Sequence, residues 1–379
     1  MIIAFDGSNI RAGGGVTHLT ELLNHCTPEK YNIEKVVVWA PSATLQLIED
    51  KKWLHKISHP WLDKSLPSIL AWRWFYLAKH LRNCDLLVSV SGNYTGNFRP
   101  YISYCRNMLV FEKTEQQRYS LLSLTRWRFK MLNFVQRRSF KNADLVIFLC
   151  EYARHKVLES TTLRNSKIIP HGVSLSFRTE HRQEEKEINS YSQNERYKFL
   201  YVSIVNFYKH QWNVVKAFDK LIKLGYPLEL HLVGGAYPQA LQKLNESLQT
   251  IQPNDQYVHY HGKVGYKEIH RFYSMADAFI FASTCENMPN IVLEAMANRL
   301  PIVSSHYPPI KELLQDGGLY FNPLEEEDIV QKVKDFICNR DLRTTLAQKA
   351  WQRSQDYSWQ RCAQETFMAA STMITSDTR

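Results

Sequence analysis

The chain has 379 residues, 44% of them hydrophobic and 22% charged, a balance that suits a globular protein and excludes wholesale disorder. No unbroken apolar run reaches the length of a membrane-spanning helix. The seven cysteines are scattered with no CxxC pair, which argues against a zinc or disulfide scaffold and for reduced thiols in the cytoplasm. Charge is unevenly placed: residues 1–175 hold 24 Lys and Arg against 13 Asp and Glu, and the remainder 23 against 24. The whole-chain charge of +10 thus belongs to the first half, whose basic surface calls for an anionic partner.

In chain order, MIIAFDGSNIRAGGGV has too few apolar residues for a signal peptide and reads as a first strand followed by a glycine-rich loop. IIAF (2–5), VVVWA (36–40), DLLVSV (85–90), NMLVF (107–111) and DLVIFL (144–149) are the strand candidates of the first half. FLYVSIV (199–205), LELHLV (228–233), YVHYHG (257–262), AFIFAS (278–283) and LPIVSS (300–305) are those of the second. Nearly unbroken apolar runs mark strands buried on both faces, and helical segments between them predict two doubly wound, parallel-sheet α/β domains. The length favours two domains as well. Residues 177–198, FRTEHRQEEKEINSYSQNERYK, are polar and predict a linker or a loop at the entrance to the second domain.

The most informative stretch is CENMPNIVLE (285–294), where Glu286 and Glu294 stand with seven residues between them directly after an apolar strand. TCEN reads as a loop, Pro289 as the first residue of a helix, and NIVLEAMAN (290–298) as its body. Free amides and the dipole at such a helix start make an anion site at the carboxyl edge of the sheet. With an acceptor on either side, the arrangement suits a nucleotide sugar. A solvated loop charge and a surface helix glutamate would fit the spacing equally well.

The surrounding segment ENMPNIVLEAMANRLPIVSS resembles the E-x7-E signature of the bacterial retaining glycosyltransferases of family 4, which have the GT-B fold. Other segments fall in that family's order: AGGGVTHLTELL (12–23), RNMLVFEKTEQQRY (106–119), KIIPHGVSLSF (167–177), YVSIVNFYKHQWNVVKAF (201–218), LELHLVGG (228–235) and GGLYFNPLEEEDI (317–329). The resemblance implies two Rossmann-like domains facing a cleft. Residues 1–175 would bind the acceptor and 176–356 the nucleotide sugar, and 357–379 would be a helix crossing back to the first domain.

By the same resemblance, Glu286 would contact the transferred sugar and Glu294 the ribose hydroxyls. The amides of Asn290, Ile291 and Val292 would hold the diphosphate, joined across the cleft by the loop at Gly14 and Gly15. The backbone around Gly262 and Val264 would read the base. Lys209 would neutralise charge on the departing phosphate, a role that stabilises the transition state. Two departures stand out. Ile204 occupies the place of a common arginine, and Asn107 lies where many relatives carry a histidine; Arg106 or Asn107 could supply a hydrogen bond there, but not a general base. No metal or other cofactor is implied. His18 reads as a helix-surface histidine, and His171 with Gly172 as a cleft or hinge element or a plain turn.

Residues 118–141 carry seven Lys or Arg and no acid, interleaved with Leu, Trp and Phe, and residues 53–83 repeat the aromatic and basic character. A helix packed on the sheet with a solvated basic face is one reading, and an interfacial patch on anionic lipid another. No nucleic-acid motif is present. The functional expectation is transfer of a hexose, with a GDP-mannose-like donor slightly favoured, to a lipid-linked or cell-surface polysaccharide acceptor such as lipopolysaccharide. The enzyme would be cytoplasmic, at the inner face of the membrane. The alternatives are a non-hydrolysing nucleotide-sugar 2-epimerase and a non-catalytic membrane-binding protein on the same fold.

Overall fold

The structure, a computed structural model, describes residues 1–182, 184–251 and 257–376, with 266, 267, 375 and 376 described by backbone alone. It divides into two compact units. The first holds Met1–Phe111, Leu122–Gly172 and the chain from Tyr357 onward; the second holds Glu112–Leu121 and Val173–Asp356. Gln183 of the polar segment 177–198, and residues 377–379 of the C-terminal segment, lie outside the described residues.

The first unit is built on a seven-stranded sheet, all parallel, in the order β3-β2-β1-β4-β5-β6-β7. Its strands are β1 (Ile2–Asp6), β2 (Lys35–Trp39), β3 (Leu54–Ile57), β4 (Leu86–Ser89), β5 (Tyr101–Tyr104), β6 (Leu145–Phe148) and β7 (Ser166–Ile168). Every residue of β4, β5 and β6 is buried, as unbroken apolar runs require of a sheet covered on both faces. The strand expected at 107–111 is not one. Met108–Val110 is a 3₁₀ turn whose Val110 carbonyl accepts the Asn133 side-chain amide at 2.9 Å, and the strand is the preceding YISY. Met108, Val110 and Phe111 are nevertheless buried, so the apolar run was real and its period misleading. β3 and β7 carry charged residues and gave no such run.

The helices of this unit include α1 (Gly14–Asn24), α2 (Leu66–Trp72) and α3 (Leu124–Asn142). The C-terminal helix Trp359–Ser376 packs in the same core as α1, with the Phe367 ring stacked on Phe5 at 5.8 Å. Gly172 makes that packing possible, because a Cβ there would lie 2.0 Å from the Trp359 nitrogen.

The second unit has a six-stranded sheet, again parallel, in the order β10-β9-β8-β11-β12-β13. Its strands are β8 (Tyr197–Val202), β9 (Leu228–Val233), β10 (Val258–Tyr260), β11 (Ala278–Phe281), β12 (Ile302–Ser305) and β13 (Leu319–Phe321). Helices α4 (Gln211–Lys223), α5 (Tyr266–Met275) and α6 (Asn290–Ala297) bear on the site. The polar segment 177–198 is strapped onto this unit instead of hanging as a free linker. Arg182 donates to the carbonyls of Ala276 and Asn298, and Glu185 pairs at 2.9 Å with Arg343, a fully buried guanidinium. Its charges satisfy buried groups, which composition alone could not reveal.

Candidate active site

In each sheet the strand order reverses beside the first strand of the unit, between β1 and β4 and between β8 and β11. Adjacent loops leave the sheet in opposite directions at such a reversal, opening a crevice at the carboxyl ends. In the second unit the two loops are residues 203–210 after β8 and 282–289 after β11. They carry Lys209 and Glu286, and the structure joins the two as a direct ion pair.

Each partner is aimed by its loop. Asn206 caps the 3₁₀ turn Phe207–Lys209, its Oδ1 accepting the Phe207 N–H at 2.8 Å. The Lys209 carbonyl accepts the Tyr201 hydroxyl, which in turn accepts the Ala282 N–H at 3.2 Å. Thr284 N–H donates to the Tyr208 carbonyl at 2.8 Å, and the Thr284 hydroxyl lies 3.0 Å from His210 Nε2. His210 is neutral: burial, with Arg118 and Lys243 nearby, pushes its pKa down to about 3. The two loops are thereby stitched together. Lys209 is only 5% exposed, its Nζ 4.8 Å from the Phe281 ring centroid, so its charge is directed at Glu286 and whatever joins that site.

Glu294 sits one turn into α6, and its surroundings correct the surface reading. It is buried, its Oε2 accepts the Tyr273 hydroxyl of α5 at 2.8 Å, and burial pushes its pKa up to about 7. The helix itself begins at Asn290, with Pro289 as the preceding cap, not as its first residue. The Pro289 carbonyl takes the Val292 N–H at 3.0 Å. Of the three amides expected to face an anion, Val292's is therefore occupied, leaving those of Asn290 and Ile291. Asn290 Oδ1 is buried with no hydrogen-bond partner. Gly262 holds φ +65° in the turn after β10, its carbonyl accepting the Gly234 N–H at 2.8 Å, and Val264 follows two residues on. Ile204 lies 46% exposed in the loop that carries Lys209.

The remaining expected residues belong to the first unit. Gly14 and Gly15 open α1 after Gly13, whose φ of +64° only glycine adopts readily. Arg106 donates to the Gly14 carbonyl at 2.5 Å and lies 3.4 Å from that of Gly15. Asn107 is the exposed residue ahead of the Met108–Val110 turn. His18 overturns its expected surface position: it is fully buried, with ring centroids 4.8 Å from His171 and 4.9 Å from Tyr104. Burial, with Arg106 and His171 nearby, holds it neutral. A histidine on the inner face of an eleven-residue helix has no distinctive sequence signal. Neither do Tyr273 and Asn206, which sequence reasoning missed.

Residues 182–353, the segment that carries Lys209, Glu286 and Glu294, match the family described as glycosyl transferases group 1. That stretch, within the second unit, is similar to the group 1 glycosyl transferases. It is 25% identical over 284 residues to the α-monoglucosyldiacylglycerol synthase of Streptococcus pneumoniae, an alignment covering 72% of this chain and 59% of that protein. Among solved structures, sucrose-phosphate synthase from Thermosynechococcus elongatus superposes with TM-score 0.77 at 18% identity, over 99% of this chain and 100% of that one. The Anabaena protein Alr3699/HepE in complex with UDP-glucose gives 0.72 at 17% identity, covering each chain completely. At these identities the structural matches establish the GT-B fold alone, and the site is argued from this chain's own residues.

Proposed function

We propose that the protein is a retaining glycosyltransferase that moves a hexose from a nucleotide sugar to a lipid-linked or cell-surface polysaccharide acceptor. The observation that carries this reading is the Lys209–Glu286 pair at the strand reversal of the second sheet, on the two loops that lead to the crevice and to α6. In this reading the Asn290 and Ile291 amides and the positive end of α6 hold the diphosphate. Lys209 turns from Glu286 toward the leaving oxygen as charge develops there, the work a metal ion does in other transferases. Glu286 is then free to accept a sugar hydroxyl, and Asn290 Oδ1 offers a second acceptor. Glu294 takes the ribose hydroxyls in its ionised form. With Glu286 and Glu294 both taken up by donor hydroxyls in this reading, the departing phosphate accepts the acceptor's proton on the same face, which retains configuration.

The donor class is a UDP- or GDP-activated hexose. The Anabaena neighbour's complex supports a nucleotide-sugar ligand for this fold, and the motif resemblance leans to a GDP-mannose-like one. The test is release of UDP or GDP from UDP-glucose and GDP-mannose by wild type and Glu286→Ala. Wild type should turn over one donor and the variant should lose about a hundredfold or more, as for removal of a group acting at the transition state. Equal release by both would end the reading.

A second surface bears on the acceptor. On α3, Leu124, Trp127, Met131 and Phe134 recur at helical spacing and are 88%, 57%, 70% and 69% exposed, and Leu122 just before is 90% exposed. Arg128, Lys130, Arg137, Arg138 and Lys141 stand exposed around them. An apolar stripe inside a basic surround is suited to an anionic bilayer, and we take it as the peripheral contact at the inner membrane face where a lipid-linked acceptor is found. Among the described residues no helix is long and apolar enough to cross a membrane.

A further inference from the structure

The segment Glu112–Leu121 interrupts the first unit's sequence but belongs to the second unit. Its contacts there are specific. The Tyr119 hydroxyl donates to Asn206 Oδ1 at 2.8 Å, and its ring meets those of Phe207 and Tyr237 edge-on at 5.3 and 5.9 Å. These partners lie in the loops after β8 and β9, so the segment covers the carboxyl edge of the sheet beside the strand reversal. Tyr119 is 4% exposed, and burial raises its pKa, which keeps the hydroxyl a donor. The turn that bears it is fixed by Glu115, itself 3% exposed, which accepts the Arg118 Nε–H at 2.6 Å.

Asn206 Oδ1 thus accepts two hydrogen bonds, one from Tyr119 and one from the Phe207 amide, while the Asn206 carbonyl accepts the Lys209 N–H at 2.9 Å. We propose that Tyr119 is a positioning residue of the catalytic pair, acting through Asn206 to fix the turn that aims Lys209. This rests on the reading of Lys209 above. The segment falls nearly ninety residues before the turn it holds, which is why it escapes a reading of the second half alone. The turn is also held through the Tyr208 and Lys209 carbonyls, and Tyr119 adds the bond that orients the Asn206 side chain, so its loss lets the cap at Phe207 drift. A misplacement of about 1 Å costs up to about a hundredfold in rate.

The test is a cycle of Tyr119→Phe and Lys209→Ala in the full chain, read as UDP or GDP release from UDP-glucose and GDP-mannose. Lys209→Ala should abolish most turnover; if it does not, the reading of the pair fails whatever Tyr119 does. Tyr119→Phe should lower kcat about tenfold or more with little change in donor KM, and should lower it no further in the Lys209→Ala background. An equal fall in both backgrounds, or none, overturns the proposal. Asn206→Ser keeps an oxygen for the Phe207 amide but is too short to meet the Tyr119 hydroxyl, so it should reproduce the Tyr119→Phe effect. Amide hydrogen exchange of residues 206–210 supplies a readout independent of donor. It should quicken in Tyr119→Phe, and unchanged exchange would also overturn the proposal.

Discussion

Glu294 shows how a single carboxyl couples folding to ligand chemistry. Its pKa of about 7 in the folded protein lies above the ordinary value of 4.5, because burial disfavours the charge more than the Tyr273 hydroxyl favours it. The folded state therefore binds the proton more tightly than the unfolded chain. This contribution is fully present below pH 4.5 and is lost as pH rises through 7. Glu294→Gln removes the charge and keeps an acceptor for Tyr273. It should exceed wild type in stability at pH 8 by up to about 3 kcal/mol and match it near pH 5, in urea unfolding at the two pH values. With the ionised carboxylate taking the ribose hydroxyls, the same substitution should weaken nucleotide binding at pH 8 and change it little near pH 5, where wild type is itself protonated. A gain of stability at pH 5 as large as that at pH 8 would show that the carboxyl is not the cause. The pairing of Lys209 with Glu286, and the burial of Glu294, were not visible in the spacing, which fitted solvated charges equally well.

At the scale of elements, the apolar runs of the sheets were legible because strands covered on both faces need no alternation. What the runs could not show was which were strands. Residues 107–111 bury Met108, Val110 and Phe111 from a 3₁₀ turn, and β3, β7 and β13 join the sheets as short strands outside the expected runs. Helix α6 was expected from NIVLEAMAN and is there, with Val292 through Ala297 all buried. A helix hydrophobic on all sides belongs in a core, and this one can present only its first turn to a ligand. Close approach between elements is a second thing the sequence hides. Gly172→Ala would drive a methyl into the backbone at Ser358 and Trp359 and separate the C-terminal helix from the core it shares with α1. The expected loss is about 3 kcal/mol or more, since backbone on both sides resists adjustment. Thermal unfolding should show it as a lowered midpoint, and a midpoint within a degree of wild type would contradict the packing described.

At the scale of the molecule, charge asymmetry and exposed apolar surface occur together in the first unit. The excess of basic residues in positions 1–175 coincides with the exposed stripe of α3, and neither feature is needed for the packing of the sheet. Trp127→Glu with Phe134→Glu should therefore leave the unfolding midpoint nearly unchanged. It should remove sedimentation with vesicles containing phosphatidylglycerol, and wild-type binding should weaken as salt rises from 0.05 to about 0.5 M through charge screening. Undiminished binding by the double variant would assign the contact elsewhere.

The class of fold, the basic first half and the identity of the residues at 209, 286 and 294 are written in the chain, because each rests on local composition and order. That Lys209 and Glu286 form a pair, and that Glu294 is a buried acid held by Tyr273, emerges with the folded arrangement alone. So does the bond from Tyr119, in residues 112–121, to the Asn206 that caps the lysine's turn. Those facts depend on loops brought together where strand order reverses, and the distance between them in space is not encoded in their distance along the chain.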